Sequence, residues 1–144
     1  MKALSIRQPW AFAITMGFKP VENRTWYTSY RGPVLIHAGK KEEVEDVDGV
    51  LESIADQTGE DLSIIQRGYR NHRYLGGIVG AATLVKCVTH HESSWFNGPY
   101  GFVFENPTWT CGVPCRGELG FFNVPDEVIS LLHIPPYIDC LDSK

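Results

Sequence analysis

The stretch ALSIRQPWAFAITMGFKPVENRTWYTSYRGPVLIHA, from Ala3 to Ala38, decides how this chain is read. KALSI, residues 2–6, alternates so that Leu4 and Ile6 share one face, which is the pattern of a short strand. Pro9 suits the first turn of a helix, and WAFAITM continues it until Gly17, a C-cap residue. Trp10, Phe12, Ala13 and Ile14 surround that helix, so it is expected to be buried. Residues 18–26 are too polar for a central strand and read as an edge strand or extended loop. YTSYRGP, residues 27–33, makes a turn into VLIHA, residues 34–38, a strand rich in β-formers. Across this stretch Arg7, Gln8, Trp10, Lys19, Glu22, Arg24, Trp26, Arg31 and His37 recur at short intervals. A core does not need the charges, and a solvated face does not need the tryptophans. A pocket for a flat, polar, anionic ligand needs both.

Downstream, Val44, Val47, Leu51, Ile54 and Ala55 fall at helical spacing, so residues 42–57 read as an acidic surface helix with an apolar stripe. Residues 61–70 make a second short helix capped by Asp61. Residues 76–88, 100–106 and 117–124 read as strands, and residues 126–132 as a terminal helix. The tail 134–144, with Pro135 and Pro136, is expected to pack loosely. There is no internal repeat. The order of elements fits one domain over residues 1–144, a small α+β fold with a mostly β barrel and helices flanking it.

At 144 residues the chain is long enough for one full core. No apolar run is long enough to span a bilayer, and the start lacks the apolar segment of a signal peptide, so a cytoplasmic location is expected. Cys87, Cys111, Cys115 and Cys140 then read as free thiols. The Cys111–Cys115 spacing, with His90 and His91 upstream, does not match a zinc finger or ribbon, so no metal is expected. The net charge of −4 argues against a general nucleic-acid coat. The charge is uneven, however. Residues 1–40 carry Lys2, Arg7, Lys19, Arg24, Arg31 and Lys40 against Glu22 alone, and residues 41–62 carry nine acids against Lys41. A local positive site is therefore compatible with an acidic total.

LSIRQPWAFAI, GFKPVENR and RTWYTSYRGPVLIHA together resemble the ASCH domain family, and GPYGFVFENP and PCRGELGFF are similar to its closing strands. The resemblance covers nearly the whole chain, with residues 42–75 undiagnostic. It implies a small PUA-like β-barrel with flanking helices, an adjacent cleft, and RNA or nucleotide recognition. The family also contains ribonuclease-like members and an amidohydrolase branch that deacylates N4-acetylcytidine. In that branch's GxKxxxxR frame, Lys19 matches the lysine and Arg24 the arginine. Glu22 stands where the branch has its threonine nucleophile, which puts that mechanism in doubt here. Glu105 is a candidate for the branch's glutamate by residue type only.

The residues themselves carry the following expectations. Lys19, Arg24 and Arg31 would engage phosphate or a carbonyl. Glu22 would pair with an exocyclic amine, or else hold the loop through Lys19 and Arg24. Gln8 would read a base edge, or else cap the following helix. Trp26 would stack on a base, and Trp10 would do so unless it belongs to the core. His37 reads as a satisfied core histidine, with general acid or base work as the alternative, and Ser5 offers a hydroxyl without a Ser-His-Asp order in the chain. The basic run Arg67, Arg70, His72 and Arg73 either faces nucleic acid or offsets the acidic segment.

The leading function is binding of RNA, single-stranded nucleic acid or a nucleotide in a cleft lined by Lys19, Glu22, Arg24 and Arg31, with no cofactor. Two rivals stand beside it. One is a hydrolase of a modified nucleoside or of RNA, with Lys19 and Glu22 as catalytic groups. The other is a protein-interaction module using the acidic helix.

Overall fold

A computed structural model describes residues 1–42 and 46–132. The expected tail 134–144 and residues 43–45 of the expected acidic helix lie outside the described residues.

The first element is β1, Lys2–Gln8, two residues longer than its alternation indicates. Helix α1, Trp10–Thr15, follows, then the short strand β2, Val21–Arg24. Strand β3 spans Gly32–Glu42, and helices α2, Val47–Thr58, and α3, Leu62–His72, come next. Strands β4, Gly77–Val88, and β5, Tyr100–Pro114, form the long antiparallel pair. The short strand β6, Phe121–Asn123, and helix α4, Asp126–Ile129, complete the described chain.

All six strands join one sheet in the order β2-β5-β4-β3-β1-β6. β1 and β3 are parallel, with Ser5 opposite His37, and every other pairing is antiparallel. The polar segment Val21–Arg24 sits at one edge, where its charged side chains need not enter the core on both faces. The fold is α+β, as expected. The ladder is open: β2 and β6 are its ends, and no backbone pairing joins them among the described residues. The six described strands form a curled sheet that backbone pairing does not close into the expected small β-barrel.

Side chains bridge the curl. Trp26, just beyond β2, packs edge-on against Phe102 of β5 and Phe121 of β6, at ring-centroid distances of 5.1 and 5.5 Å. Phe102 and Phe121 stack with an interplanar angle of 12°. Arg24 of β2 donates from Nη2 to the Ser5 carbonyl of β1 at 2.8 Å. The core inside the curl is Leu4, Ile6, Ile14, Val34, Ile36, Leu84, Phe102 and Phe104. A second cluster joins Phe12 of α1 to Leu51, Ile54, Ile65 and Tyr69, which holds α2 and α3 against α1.

Three boundaries moved for physical reasons. β3 runs on to Glu42 because Gln8 of β1 pairs there, which takes residue 42 out of the expected helix. Glu42 then accepts both guanidinium arms of Arg73, at 2.8 and 3.0 Å, and the Tyr69 hydroxyl. β5 continues past Asn106 because that residue adopts φ 52°, a left-handed turn that asparagine tolerates. Only residues 121–123 of the expected 117–124 strand pair with β1; residues 117–120 are loop.

Candidate functional site

A cleft of about 960 Å³ opens on the face carrying β1 and β3. Ser5 and Arg7 reach it from β1, Arg24 from β2, and His37, Gly39, Lys40 and Lys41 from β3. The loop from Cys115 to Gly120 forms another wall, bringing Arg116 and Glu118. Five cationic side chains therefore face this cleft against Glu118. Among the described residues no Phe, Tyr or Trp lines it.

Behind Arg24 runs a chain of charges. Glu22 accepts from Lys19 at 3.1 Å and from Arg24 at 3.3 Å. The Lys19 amine also donates to the Val21 carbonyl at 2.6 Å and lies 5.4 Å from the Trp10 ring. Lys19 is 5% exposed, so this amine is held by protein groups and not by water. Arg24 Nε is buried without an acceptor among the described residues.

Of the residues singled out in the sequence for ligand contact, Arg24 lines this cleft. Lys19 and Glu22 reach it only through the ion chain. Arg31 is turned away, donating to the Thr28 and Tyr30 carbonyls. Gln8 accepts from the Phe12 amide and donates to the Tyr74 carbonyl, so both ends of its amide serve the start of α1 and a neighbouring segment. Trp26 is part of the seam across the curl, and Trp10 packs edge-on against Trp95 at 5.9 Å. Neither presents a face to this cleft. In the basic run, Arg73 is paired to Glu42 and His72 packs on Trp109, at 4.4 Å. Among the described residues no group of three or more His, Cys, Asp and Glu is placed to hold a metal.

The sequence reading underrated Arg7, Lys40, Lys41 and Arg116, and it kept Ser5 and His37 apart. In the fold Ser5 Oγ lies 2.9 Å from His37 Nδ1, while His37 Nε2 lies 2.7 Å from the Cys115 carbonyl. A carbonyl only accepts, so Nε2 carries the proton, and Nδ1 accepts from the Ser5 hydroxyl. The signal was present as a period of two. Ser5 and Arg7 alternate with Leu4 and Ile6, and His37, Gly39 and Lys41 alternate along β3. Arg116 and Glu118 lie in a loop, where no such pattern exists.

Burial lowers the His37 pKa, partly opposed by its bond to the Cys115 carbonyl. Below the ordinary value of 6.5 the unfolded chain binds a proton that the folded chain refuses until its lower value is reached. Stability should therefore be complete above about pH 6.5 and fall as pH drops through that window. Urea unfolding at a series of pH values checks this, and His37→Gln should flatten the dependence there. Burial, with Glu118 nearby, raises the Cys115 thiol pKa, so this cleft cysteine stays protonated at neutral pH and is a poor nucleophile.

Comparison with known proteins places the chain in a family. The ASCH domain family model matches residues 4–114, and the chain belongs to that family. The family has a proposed role in RNA binding. Activating signal cointegrator 1 from Homo sapiens is 29% identical over 113 aligned positions, 72% of this chain. The Mus musculus protein of the same name is 28% identical over a region of the same extent. Each match spans only 19% of the relative's length. Among solved structures, the ASCH protein from Zymomonas mobilis aligns with a TM-score of 0.52 and 14% identity, covering 92% of this chain and 96% of that one. A single-substitution mutant of it gives 0.54 and 13%, covering 91% and 97%. At that identity the likeness is one of fold.

Proposed function

We propose that the β1–β3 cleft binds a phosphate-bearing ligand, with RNA or another single-stranded nucleic acid as the leading candidate. One observation carries the reading: Lys40, Lys41 and Arg116 face the cleft that Arg24 also lines, on a molecule whose net charge is −4. Arg24 is already paired with Glu22, so the added lysines and Arg116 leave the cleft with a positive surplus that an anionic ligand would offset. The volume suits a nucleotide-sized group.

This reading differs from the expected one in its mode of recognition. With no Phe, Tyr or Trp lining the cleft among the described residues, and with Trp10 and Trp26 packed elsewhere, contact runs through phosphates and not through base stacking. Base preference should accordingly be weak. The curled sheet with its side-chain seam is, on this reading, an open PUA-like barrel that presents the cleft beside β1. The Lys19 amine and Glu22 serve to brace Arg24. No metal or organic cofactor is required.

Fluorescence anisotropy with short single-stranded RNA and DNA tests the proposal. Replacing Lys40, Lys41 and Arg116 together with glutamine should weaken binding on the order of tenfold or more at low salt. Poly(U) and poly(A) oligomers should differ little. Arg31→Gln serves as the contrast, because that side chain points elsewhere, and should leave affinity unchanged. Equal losses in the two variants, or none in the triple variant, would place the ligand away from this cleft.

A further inference from the structure

The cleft contains a nucleophile, a base and an orienting group that ligand binding alone does not use. We infer that Ser5 and His37 form a nucleophile–base pair that hydrolyses an acyl ester on a phosphate-bearing molecule. The phosphate-bearing part of that statement rests on the proposed function above; the reactivity of Ser5 does not.

The pair is built by the sheet. Ser5 and His37 are register partners in the parallel β1–β3 ladder, so their side chains project from the same face into the cleft. The 2.9 Å contact joins Oγ to Nδ1, and the 2.7 Å contact from Nε2 to the Cys115 carbonyl fixes both the ring plane and its tautomer. Burial favours the neutral imidazole, which leaves Nδ1 a free lone pair for the Ser5 proton while making the imidazolium harder to form. Two glycines border the pair, whose histidine is buried and whose serine is partly exposed. A Cβ on Gly39 would sit 3.6 Å from Ser5 Oγ, and a Cβ on Gly117 would meet His37 Cε1 at 2.5 Å. A methyl at the first position would make ordinary contact with the hydroxyl; at the second it would push the imidazole out of line. Arg24 donates to the Ser5 backbone carbonyl and lines the same cleft, so its positive charge lies on the Ser5 strand.

The step balances with water as the only co-reactant. Ser5 Oγ attacks the ester carbonyl carbon while its proton passes to His37 Nδ1. The tetrahedral oxyanion collapses, the bond to the alcohol oxygen breaks, and Nδ1 returns the proton to that oxygen. Water then attacks the acyl-serine, Nδ1 takes its proton, and the carboxylic acid departs as Ser5 regains hydrogen. The group behind His37 is a neutral carbonyl, not a carboxylate, so the imidazolium is less stabilised than in a Ser-His-Asp site. This limits the pair to esters, whose alcohol leaves more readily than an amine.

A small, uncharged alkyl fluorophosphonate tests the pair on the intact chain, since Ser5 attack on phosphorus expels fluoride and leaves a stable adduct. Intact-mass and peptide mapping should find one adduct, on the peptide containing Ser5. Ser5→Ala should abolish it, and His37→Gln should slow it on the order of a hundredfold. Wild type without an adduct on Ser5, or labelling that His37→Gln leaves unchanged, would overturn the pair and reduce the contact to a cross-strand tie. The wild-type map decides this even if a variant fails to fold. A single-stranded RNA oligonucleotide should protect Ser5 from the probe. Labelling that persists under saturating RNA would overturn the phosphate-bearing carrier while leaving the serine chemistry standing.

Discussion

Glu22→Ala is expected to cost about 3–5 kcal/mol of folding stability, an effect far larger than an exposed ion pair would give. Lys19 is 5% exposed and the Glu22 side chain 13% exposed, so neither charge can turn to water for compensation. Removing the carboxylate leaves the Lys19 amine with the Val21 carbonyl alone, and it strips Arg24 of one acceptor. The remaining buried charge, and not the lost attraction, sets the size of the effect. Lys19→Met placed on top of Glu22→Ala should therefore restore much of the loss, because an apolar side chain fits beside Trp10 without needing a partner. Urea unfolding of the two variants measures this directly. A single-variant loss below 1 kcal/mol, or no recovery in the double variant, would mean that the chain Lys19–Glu22–Arg24 is not insulated from solvent.

Phe102→Ala should be comparably severe, at about 3–5 kcal/mol. Phe102 is fully buried and carries the contact between two ends of the sheet that no backbone ladder joins. Trp26 leans on its edge and Phe121 on its face, so a cavity there loosens both. Phe102→Leu keeps most of the volume and should cost less than half as much. Because Arg24 lies two residues before Trp26, the alanine variant should also weaken oligonucleotide binding, whereas a Leu51→Ala change beneath α2 should lower stability without that second effect. Thermal melts paired with anisotropy distinguish the two.

Much of this was legible in the chain because apolar spacing records burial. The period of two in residues 2–6, the buried helix after Pro9 and the polar edge strand at residues 21–24 follow from side-chain chemistry that tertiary contacts then reinforce. The ends of elements were less legible. Glu42 looks like a helix residue by charge, yet its pairing with Gln8 and its bonds to Arg73 and Tyr69 keep it in β3, and those partners lie far off in sequence. The site was half legible for the same reason. Arg24 and its acid partner sit within one short segment, so their proximity can be read from spacing. Arg116 and the Ser5–His37 contact depend on how a loop and two parallel strands come together. Trp26 drew attention as a stacking platform because an aromatic residue in a polar segment is unusual. The curl of the sheet supplies the other explanation, which no local pattern contains.

The salt dependence of single-stranded RNA binding tests the central claim most directly: cations gathered on an acidic molecule hold phosphate. Log affinity should fall linearly with log salt, with a slope of roughly −0.7 for each phosphate neutralised. The Lys40, Lys41 and Arg116 triple variant should show a shallower line than wild type. Affinity that is flat in salt, or the same slope for both proteins, would contradict the account.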